Sequence, residues 1–148
     1  MLKPTKILVP TDFSEYSDKA LRQGFDIATQ YGARVYVLHV VHEAITQCVY
    51  DYCLKIEEVQ RAEEQLIAAA RKSLEKQLAK FPRAKEVELT ADVRKGIPAE
   101  EILKEEQEKG IDLIVIASLG QSGLSKYLIG SIARNVLKGS KCPVLLTK

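Results

Sequence analysis

The sequence predicts an α/β fold, a single domain in which helices cover both faces of a parallel sheet. Short apolar runs rich in β-branched residues alternate along the chain with longer segments whose apolar residues recur every three or four positions. Strands that alternate with helices are joined by crossover connections, which make neighbouring strands parallel. The chain has 148 residues, 46% of them hydrophobic, which is enough for one core, so we expect one domain over residues 1–148.

The first elements follow from short sequence signals. A short apolar run at Ile7–Val9, just before a proline, predicts a strand. Ser14 or Ser17 can cap the helix that follows, and Gly32 is suited to end it. The run Val35–Val41 is dense in β-branched residues and predicts a second strand.

The middle of the chain contains the longest predicted helix. Residues 42–55 show no clean period, which favours a loop or an irregular excursion. An apolar stripe at helical spacing then runs from about Glu57 to Phe81, and Pro82 is expected to stop the helix. Alternating apolar and polar residues over 87–93 predict a half-exposed third strand.

The last third repeats the alternation of helix and strand. The turn Gly96–Pro98 puts proline at the first position of a helix, and Gly110 is suited to end it. The apolar run Leu113–Ala117 predicts a buried strand. An amphipathic helix follows over about 130–139, and a last strand over 144–146.

Charge and cysteine content argue against several classes of protein. The 22 basic and 20 acidic side chains are interspersed and give a net charge of +2, so no nucleic-acid partner is expected. No apolar run is long enough for a membrane span and no signal segment is recognised, so we expect a cytoplasmic protein. Cys48, Cys53 and Cys142 are expected to be reduced thiols, and a metal site at the first two would need more ligands.

The segment between Ala117 and Ser131 is the strongest candidate for a binding site. About a dozen residues separate strand from helix here, where such connections usually have 2–6. Glycine lets a backbone approach a ligand closely, and the N–H groups of a helix's first turn attract anions. One interpretation is therefore a phosphate site, and the other is an ordinary connection whose glycines serve turns. Neither a Walker A sequence nor G-x-G-x-x-G after the first strand is present.

Asp12 and the two histidines allow more than one interpretation. Asp12 could bind a ribose hydroxyl or a phosphate-bound metal ion, or it could cap the first helix together with Glu15. His39 lies within the second strand, which favours a structural role. Since neither His39 nor His42 belongs to a nucleophile or metal motif, the sequence indicates no catalytic residues.

Several motifs together resemble the universal stress protein family over essentially the whole chain. They are Lys6–Ser14, Leu38–Val41, Gly96–Pro98, the spacing Gly120-x9-Gly130-Ser131 and the ending Cys142–Leu146. Nucleotide-binding members of the family carry G-x-x-G-x9-G-[S/T], and Ala117 stands where the first glycine would be. The resemblance implies five parallel strands in the order 3-2-1-4-5, a homodimer, and ATP binding, with Mg²⁺ as a possible companion.

The resemblance also implies which residues hold the nucleotide. Asp12 would face the ribose or the phosphates, and Thr11 and the backbone of Val40 would border the adenine. The glycine-bearing loop would lie along the phosphates, and the start of the last helix would close the site. The complete expected set is Pro10, Thr11, Asp12, Val40, Ala117, Gly120, Gln121, Ser122, Gly123, Gly130, Ser131 and Ile132. If Ala117 ends the fourth strand in an extended conformation, its methyl group fits.

The sequence therefore predicts a cytoplasmic ATP-binding protein of regulatory or stress-responsive type, with the nucleotide at the carboxyl ends of strands 1, 2 and 4. Two alternatives stay open: a dimeric interaction module that needs no nucleotide, and a slow ATP hydrolase on the same fold. The last strand is expected at a sheet edge, where it could pair with a second copy.

Overall fold

A computed structural model describes residues 2–42, 55–120 and 128–148, and in these residues the α/β prediction is confirmed. The strands are β1 (Lys6–Pro10), β2 (Arg34–His42), β3 (Leu89–Gly96), β4 (Leu113–Ala117) and β5 (Val144–Thr147), and the helices are α1 (Glu15–Tyr31), α2 (Ile56–Leu78), α3 (Pro98–Lys109) and α4 (Ser131–Gly139). The strands form one parallel sheet in the order β3-β2-β1-β4-β5, as the family resemblance implied.

Two apolar cores lie on opposite faces of the sheet because side chains alternate along each strand. Val9 of the central strand packs on one face with Phe25 of α1 and Leu74 of α2. Its neighbour Leu8 packs on the other face with Val136 of α4. Both faces are thus covered, and the free edges of the described sheet are β3 and β5.

Local residues fix both ends of α1. The Ser14 hydroxyl accepts a hydrogen bond from the N–H of Ser17, so Ser14 is the N-cap. Gly32 ends the helix with a left-handed φ of 66°, and its N–H donates to the Ala28 carbonyl. The proposed capping role of Asp12 is therefore wrong, because the cap lies two residues further along the chain. Asp12 instead accepts a hydrogen bond from the N–H of Ser14 at 3.0 Å.

α2 ends before Phe81, although the apolar pattern continues to that residue. A residue that precedes proline is disfavoured in the helical region, and Phe81 precedes Pro82. Phe81 is extended, with φ −113° and ψ 100°. Its ring still packs against Phe25, with centroids 5.7 Å apart, which explains its apolar character. The proline opens a short 3-10 turn, and β3 starts at Leu89 rather than at Val87.

A partly buried ion cluster ties α3 to the edge strand β3. The Arg94 guanidinium donates from Nε to Glu101 at 2.9 Å, and from Nη1 to Glu105 at 2.8 Å and Glu108 at 2.9 Å. Gly96 follows on β3 with φ 152°, and a Cβ there would lie 2.7 Å from Cγ of Glu101. The close approach of Glu101 therefore requires glycine at this position.

The described helices and Cys142 bear on the expectations about membrane spans and thiols. Among the described helices, none has both the length and the apolar character that a membrane span needs. Cys142 is a free thiol, and burial raises its pKa to about 11. Cys48 and Cys53, and the predicted excursion over 43–54, lie outside the described residues.

Candidate functional site

A cavity of about 350 Å³ opens at the carboxyl ends of β1, β2 and β4. The sheet grows from β1 toward β2 on one side and toward β4 on the other, and ligands of α/β proteins bind at such a reversal of strand order. The cavity is lined by every described member of the expected set: Pro10, Thr11, Asp12, Val40, Ala117, Gly120, Gly130, Ser131 and Ile132. Gln121, Ser122 and Gly123 lie outside the described residues.

The turn after β1 is held in a strained conformation. The N–H of Thr11 donates to the Leu38 carbonyl at 2.9 Å, and the Thr11 hydroxyl accepts from the N–H of Phe13 at 3.1 Å. Phe13 has φ 66°, in the left-handed region that aromatic residues seldom adopt. Asp12 lies between these two residues, so its position is set from both sides.

The Asp12 carboxylate reaches toward residue 120. A Cβ on Gly120 would lie 2.7 Å from Oδ2 of Asp12, which is too close for any real contact. Gly120 itself does not have the left-handed φ that favours glycine. The Asp12 carboxylate thus occupies the space that glycine leaves, and a side chain at this position would displace it.

His39 also lines the cavity, although it was not among the residues expected from the sequence to form the site. Its Nδ1 lies 2.8 Å from the Thr11 carbonyl oxygen, so Nδ1 carries the hydrogen. The ring stacks on Phe13 with centroids 4.2 Å apart and planes at 27°. Burial lowers the pKa of His39, against smaller opposing effects of the Thr11 carbonyl and the Asp12 charge. The predicted structural role of His39 is confirmed, and it serves the turn after β1.

The backbone of Val40 faces the cavity where β1 has ended. The Leu38 carbonyl accepts from Thr11, so the polar backbone groups of Leu38 point toward β1. Backbone groups two residues apart on a strand point to the same side. Val40 therefore directs its N–H and C=O into the cavity, where they can pair with a planar ring that has an acceptor next to a donor.

The N-terminus of α4 points at the same cavity. The first hydrogen bond of α4 runs from the N–H of Arg134 to the carbonyl of Gly130, at 2.9 Å. The N–H groups of residues 131–133 thus have no acceptor within α4. The N–H of Gly130 donates to the Ser118 carbonyl at 2.7 Å, so it is already engaged. The three following N–H groups and the Ser131 hydroxyl form an end that suits an anion.

Ala117 is the last residue of β4. It pairs with Thr147 of β5 and has no positive φ. The conformation is one that alanine adopts without strain, so the backbone does not require glycine here. That the methyl group of Ala117 is compatible with ligand binding stays a prediction.

Apolar side chains form one wall of the cavity. Pro98 and Ile102 contribute it from the first turns of α3, and Ile116 and Ala133 contribute from β4 and α4. Sequence reasoning did not assign the two α3 residues to the site. The signal that could have found them is the turn Gly96–Pro98, which follows the carboxyl end of β3 and opens α3 at the same edge of the sheet.

No group of three or more His, Cys, Asp or Glu side chains in the described part of the chain is arranged to hold a metal ion. Asp12 is the one carboxylate among the described cavity residues. The arrangement suits a ligand with a planar polar ring at one end and an anion at the other.

A sequence model of the universal stress protein family matches residues 4–148. The chain belongs to the universal stress protein family. It is 32% identical over 143 residues to universal stress protein MJ0531 of Methanocaldococcus jannaschii, covering 97% of this chain and 81% of that protein. The solved structure of MJ0577 from the same organism superimposes with a TM-score of 0.84 at 31% identity, covering 99% of this chain and 97% of the other.

Two further solved universal stress proteins share the fold. One, in complex with cAMP, has a TM-score of 0.66 at 21% identity and covers 99% of this chain and 98% of the other. The second, from Archaeoglobus fulgidus and in complex with dAMP, has a TM-score of 0.59 at 22% identity and covers 99% of this chain and all of the other. At these identities the likeness concerns the fold.

Proposed function

We propose that this universal stress protein binds an adenine nucleotide, with ATP as its ligand, and acts as a regulatory stress-response protein of the cytoplasm. One observation carries the proposal: an open strand edge, a carboxylate and a helix N-terminus converge on one cavity. The cavity volume of about 350 Å³ lies in the range of small-molecule sites.

Each part of the nucleotide has a chemical counterpart in the cavity. Adenine carries a ring-nitrogen acceptor beside an amino donor, which matches the N–H and C=O of Val40. Its faces would pack against the apolar wall of Pro98 and Ile102. The Asp12 carboxylate would accept hydrogen bonds from the ribose hydroxyls. The phosphates would meet the N-terminus of α4 and the Ser131 hydroxyl.

The nature of the ligand rests on the family and on this match. Relatives of the same fold are complexed with cAMP and dAMP, and both ligands contain adenine and a phosphate. ATP in particular is an inference from the G-x9-G-S spacing at Gly120, Gly130 and Ser131. Because Asp12 alone cannot hold a metal ion, Mg²⁺ would be bound mainly by the phosphates.

We propose that ATP acts as a bound effector and that none of the described cavity residues is catalytic. Phosphoryl transfer depends on positioned cations and on a residue that orients the attacking water. His39 lines the cavity, but its Nδ1 is engaged with the Thr11 carbonyl. Slow hydrolysis and a nucleotide-independent interaction module are the alternatives, and the next experiment distinguishes them.

ATP is expected to raise the melting temperature. A ligand that binds only the folded state adds about 2.7 kcal/mol at a hundredfold excess over Kd, because it shifts the folding equilibrium by mass action. For a domain of this length the shift is roughly 5–10 °C. Differential scanning fluorimetry with ATP, ADP and AMP measures it, and GTP is the control because guanine reverses the donor and acceptor pattern facing Val40.

The outcomes separate the three functions. No shift with any adenine nucleotide would reject the nucleotide site and favour the interaction module. A shift accompanied by multiple turnovers of ATP to ADP would favour the hydrolase. An equal shift with GTP would show that Val40 does not select the base.

We also propose a homodimer formed through β5. The carbonyl of Pro143 accepts from Ile114 of β4, and that of Thr147 accepts from Ser118 just after β4. The backbone groups of Val144 and Leu146 therefore point to the open edge of the sheet. Leu145 is 38% exposed on this edge strand, and Leu137 of neighbouring α4 is 45% exposed. A second copy related by a twofold axis would pair its own β5 with this edge and cover the apolar side chains.

Replacing Leu145 by lysine is expected to convert the dimer into monomers, because the interface would bury a charge next to its own copy. Size-exclusion chromatography with light scattering measures the change. Thr90→Lys is the matched control, since Thr90 is exposed on the opposite edge strand β3. If the Leu145→Lys variant folds and stays dimeric, the interface does not involve β5. If the wild type is monomeric, the proposed dimer is wrong.

A further inference from the structure

A buried glutamine from α2 lies beneath the turn after β1. Gln77 is 3% exposed. Its Oε1 accepts from the Thr11 hydroxyl at 2.7 Å, and its Nε2 donates to Asp18 at 2.7 Å and to Ser17 at 3.2 Å. Because a carboxylate accepts hydrogen bonds, Asp18 fixes which end of the amide is nitrogen, and Thr11 must then be the donor to Gln77.

Thr11 has all of its polar groups engaged. Its N–H donates to Leu38, its carbonyl accepts from His39, and its hydroxyl accepts from the N–H of Phe13 while donating to Gln77. The left-handed backbone of Phe13 is unfavourable by itself, so the turn depends on such contacts. Two helices reach the Thr11 hydroxyl from outside the strands and the turn: Ser17 Oγ of α1 lies 3.0 Å away, and Gln77 of the last turn of α2 accepts at the shorter distance of 2.7 Å.

Packing alone does not account for an amide at this position. Burying an amide costs free energy unless its hydrogen bonds are replaced, whereas an apolar side chain of similar size would fill the same space without that cost. Three of the four hydrogen-bonding capacities of the Gln77 amide are used, and they all reach residues of the turn or the first turns of α1. The amide is therefore matched to the turn rather than to the core.

We propose that Gln77 is a positioning residue of the nucleotide site. It holds the Thr11 hydroxyl and so keeps the Asp12 carboxylate in the place from which it meets the ligand. This inference rests on the proposed nucleotide function. By linkage, a ligand that stabilises the turn also stabilises the end of α2, so α2 and the nucleotide site are energetically coupled.

The first test uses the protein without nucleotide. Gln77→Met keeps the length of the side chain but removes its hydrogen bonds. Amide hydrogen exchange at Phe13 and Ser14 is expected to become about tenfold faster, because the hydrogen bonds of these amides depend on Thr11 and Asp12. The amide of Ile114, which donates to Pro143 across the sheet, serves as the internal reference.

Leu74→Val is the matched control variant. Leu74 lies one turn earlier on the buried face of α2 and makes apolar contacts with the same core. Its loss of one methylene lowers the stability without removing a hydrogen bond of the turn. Exchange at the turn relative to Ile114 is therefore expected to stay unchanged in this variant. If Gln77→Met does not fold, Thr11→Val removes the same hydrogen bond from the other side.

The second test measures ATP affinity by isothermal titration. Gln77→Met is expected to weaken binding about 3–10-fold, and Leu74→Val to leave it unchanged. If Gln77 acts through Thr11, Gln77→Met has no further effect on affinity in a Thr11→Val background. In a Thr11→Ser background, which keeps the hydroxyl, its effect returns.

Each outcome bears on one proposal or on both. Unchanged exchange at the turn in Gln77→Met, or unchanged ATP affinity, overturns the positioning role while the nucleotide site stands. If Leu74→Val changes the exchange at the turn and the ATP affinity as much as Gln77→Met does, the positioning role is overturned, and general destabilisation explains both effects. If the wild type binds no adenine nucleotide although Gln77→Met loosens the turn, the proposed function and the positioning role for a ligand are both overturned.

Discussion

Replacing Arg94 by alanine is expected to lower the free energy of unfolding by about 3 kcal/mol at pH 7. The side chains of Glu101 and Glu105 are 10% and 3% exposed, and both would lose the guanidinium that compensates their charge. Breaking a buried ion pair costs about 3–5 kcal/mol, and the lower end applies because Arg94 itself is 21% exposed. Urea unfolding and a fall in melting temperature of roughly 10 °C measure the effect.

The pH dependence of this difference has a definite sign. Burial alone would raise the pKa of Glu101, but the hydrogen bonds and charges of Lys104 and Arg94 lower it overall. The hydrogen bond from Arg94 lowers the pKa of Glu108. Carboxylates whose pKa is lowered on folding contribute stability above their ordinary value of about 4.3 and lose it as the pH falls through the folded value. The difference in the free energy of unfolding between the wild type and Arg94→Ala should therefore become smaller below about pH 4.3.

Lys104→Ala is the control for the ion cluster. Lys104 contacts Glu101 at 2.6 Å, but its side chain is 56% exposed, so its loss is expected to change stability much less. The loss of stability in Arg94→Lys should lie between those of Arg94→Ala and Lys104→Ala. A single ammonium group cannot bind three carboxylates at once as the planar guanidinium does. A loss in Arg94→Ala no larger than in Lys104→Ala would mean that solvent screens the cluster despite its burial.

The order of strands and helices could be predicted from the sequence because each element has a local signal. The runs at 7–9 and 113–117 are apolar throughout, as strands buried on both faces must be. Where two signals compete, the sequence is less informative. The apolar stripe favoured a helix as far as Phe81, yet the proline after it determines the backbone there.

The contents of the site could be predicted only in part. Glycine spacing and family resemblance pointed to residues of β1, β2, β4 and α4, all at one edge of the sheet. Contacts between distant segments leave no local pattern, and for this reason the hydrogen bonds that His39 and Gln77 make to Thr11 were not predicted. Gly120 was expected to lie along the phosphates, and its closeness to Asp12 could not be inferred from spacing.

That closeness leads to the largest expected effect on ligand binding. Asp12→Ala should weaken ATP binding roughly 10–150-fold, because a hydrogen bond to a charged group contributes about 1.5–3 kcal/mol. Gly120→Ala should have a similar effect although it removes no ligand contact. The added methyl group would lie 2.7 Å from Oδ2 of Asp12 and would force the carboxylate away. Isothermal titration of both variants measures the affinities.

A double-mutant cycle isolates the cause. If Gly120→Ala acts by displacing the carboxylate, it should cost nothing further in an Asp12→Ala background. Gly130→Ala is the comparison at the phosphate end of the cavity. A Cβ there would lie 3.4 Å from the Ser118 carbonyl oxygen and would not meet Asp12, so any loss that it causes should persist in the Asp12→Ala background. Additive losses in the double variant would mean that Gly120 contacts the phosphates directly. If Asp12→Ala binds ATP with wild-type affinity, the Asp12 carboxylate does not contact the ligand. The N-terminus of α4 would then have to account for the affinity without the carboxylate.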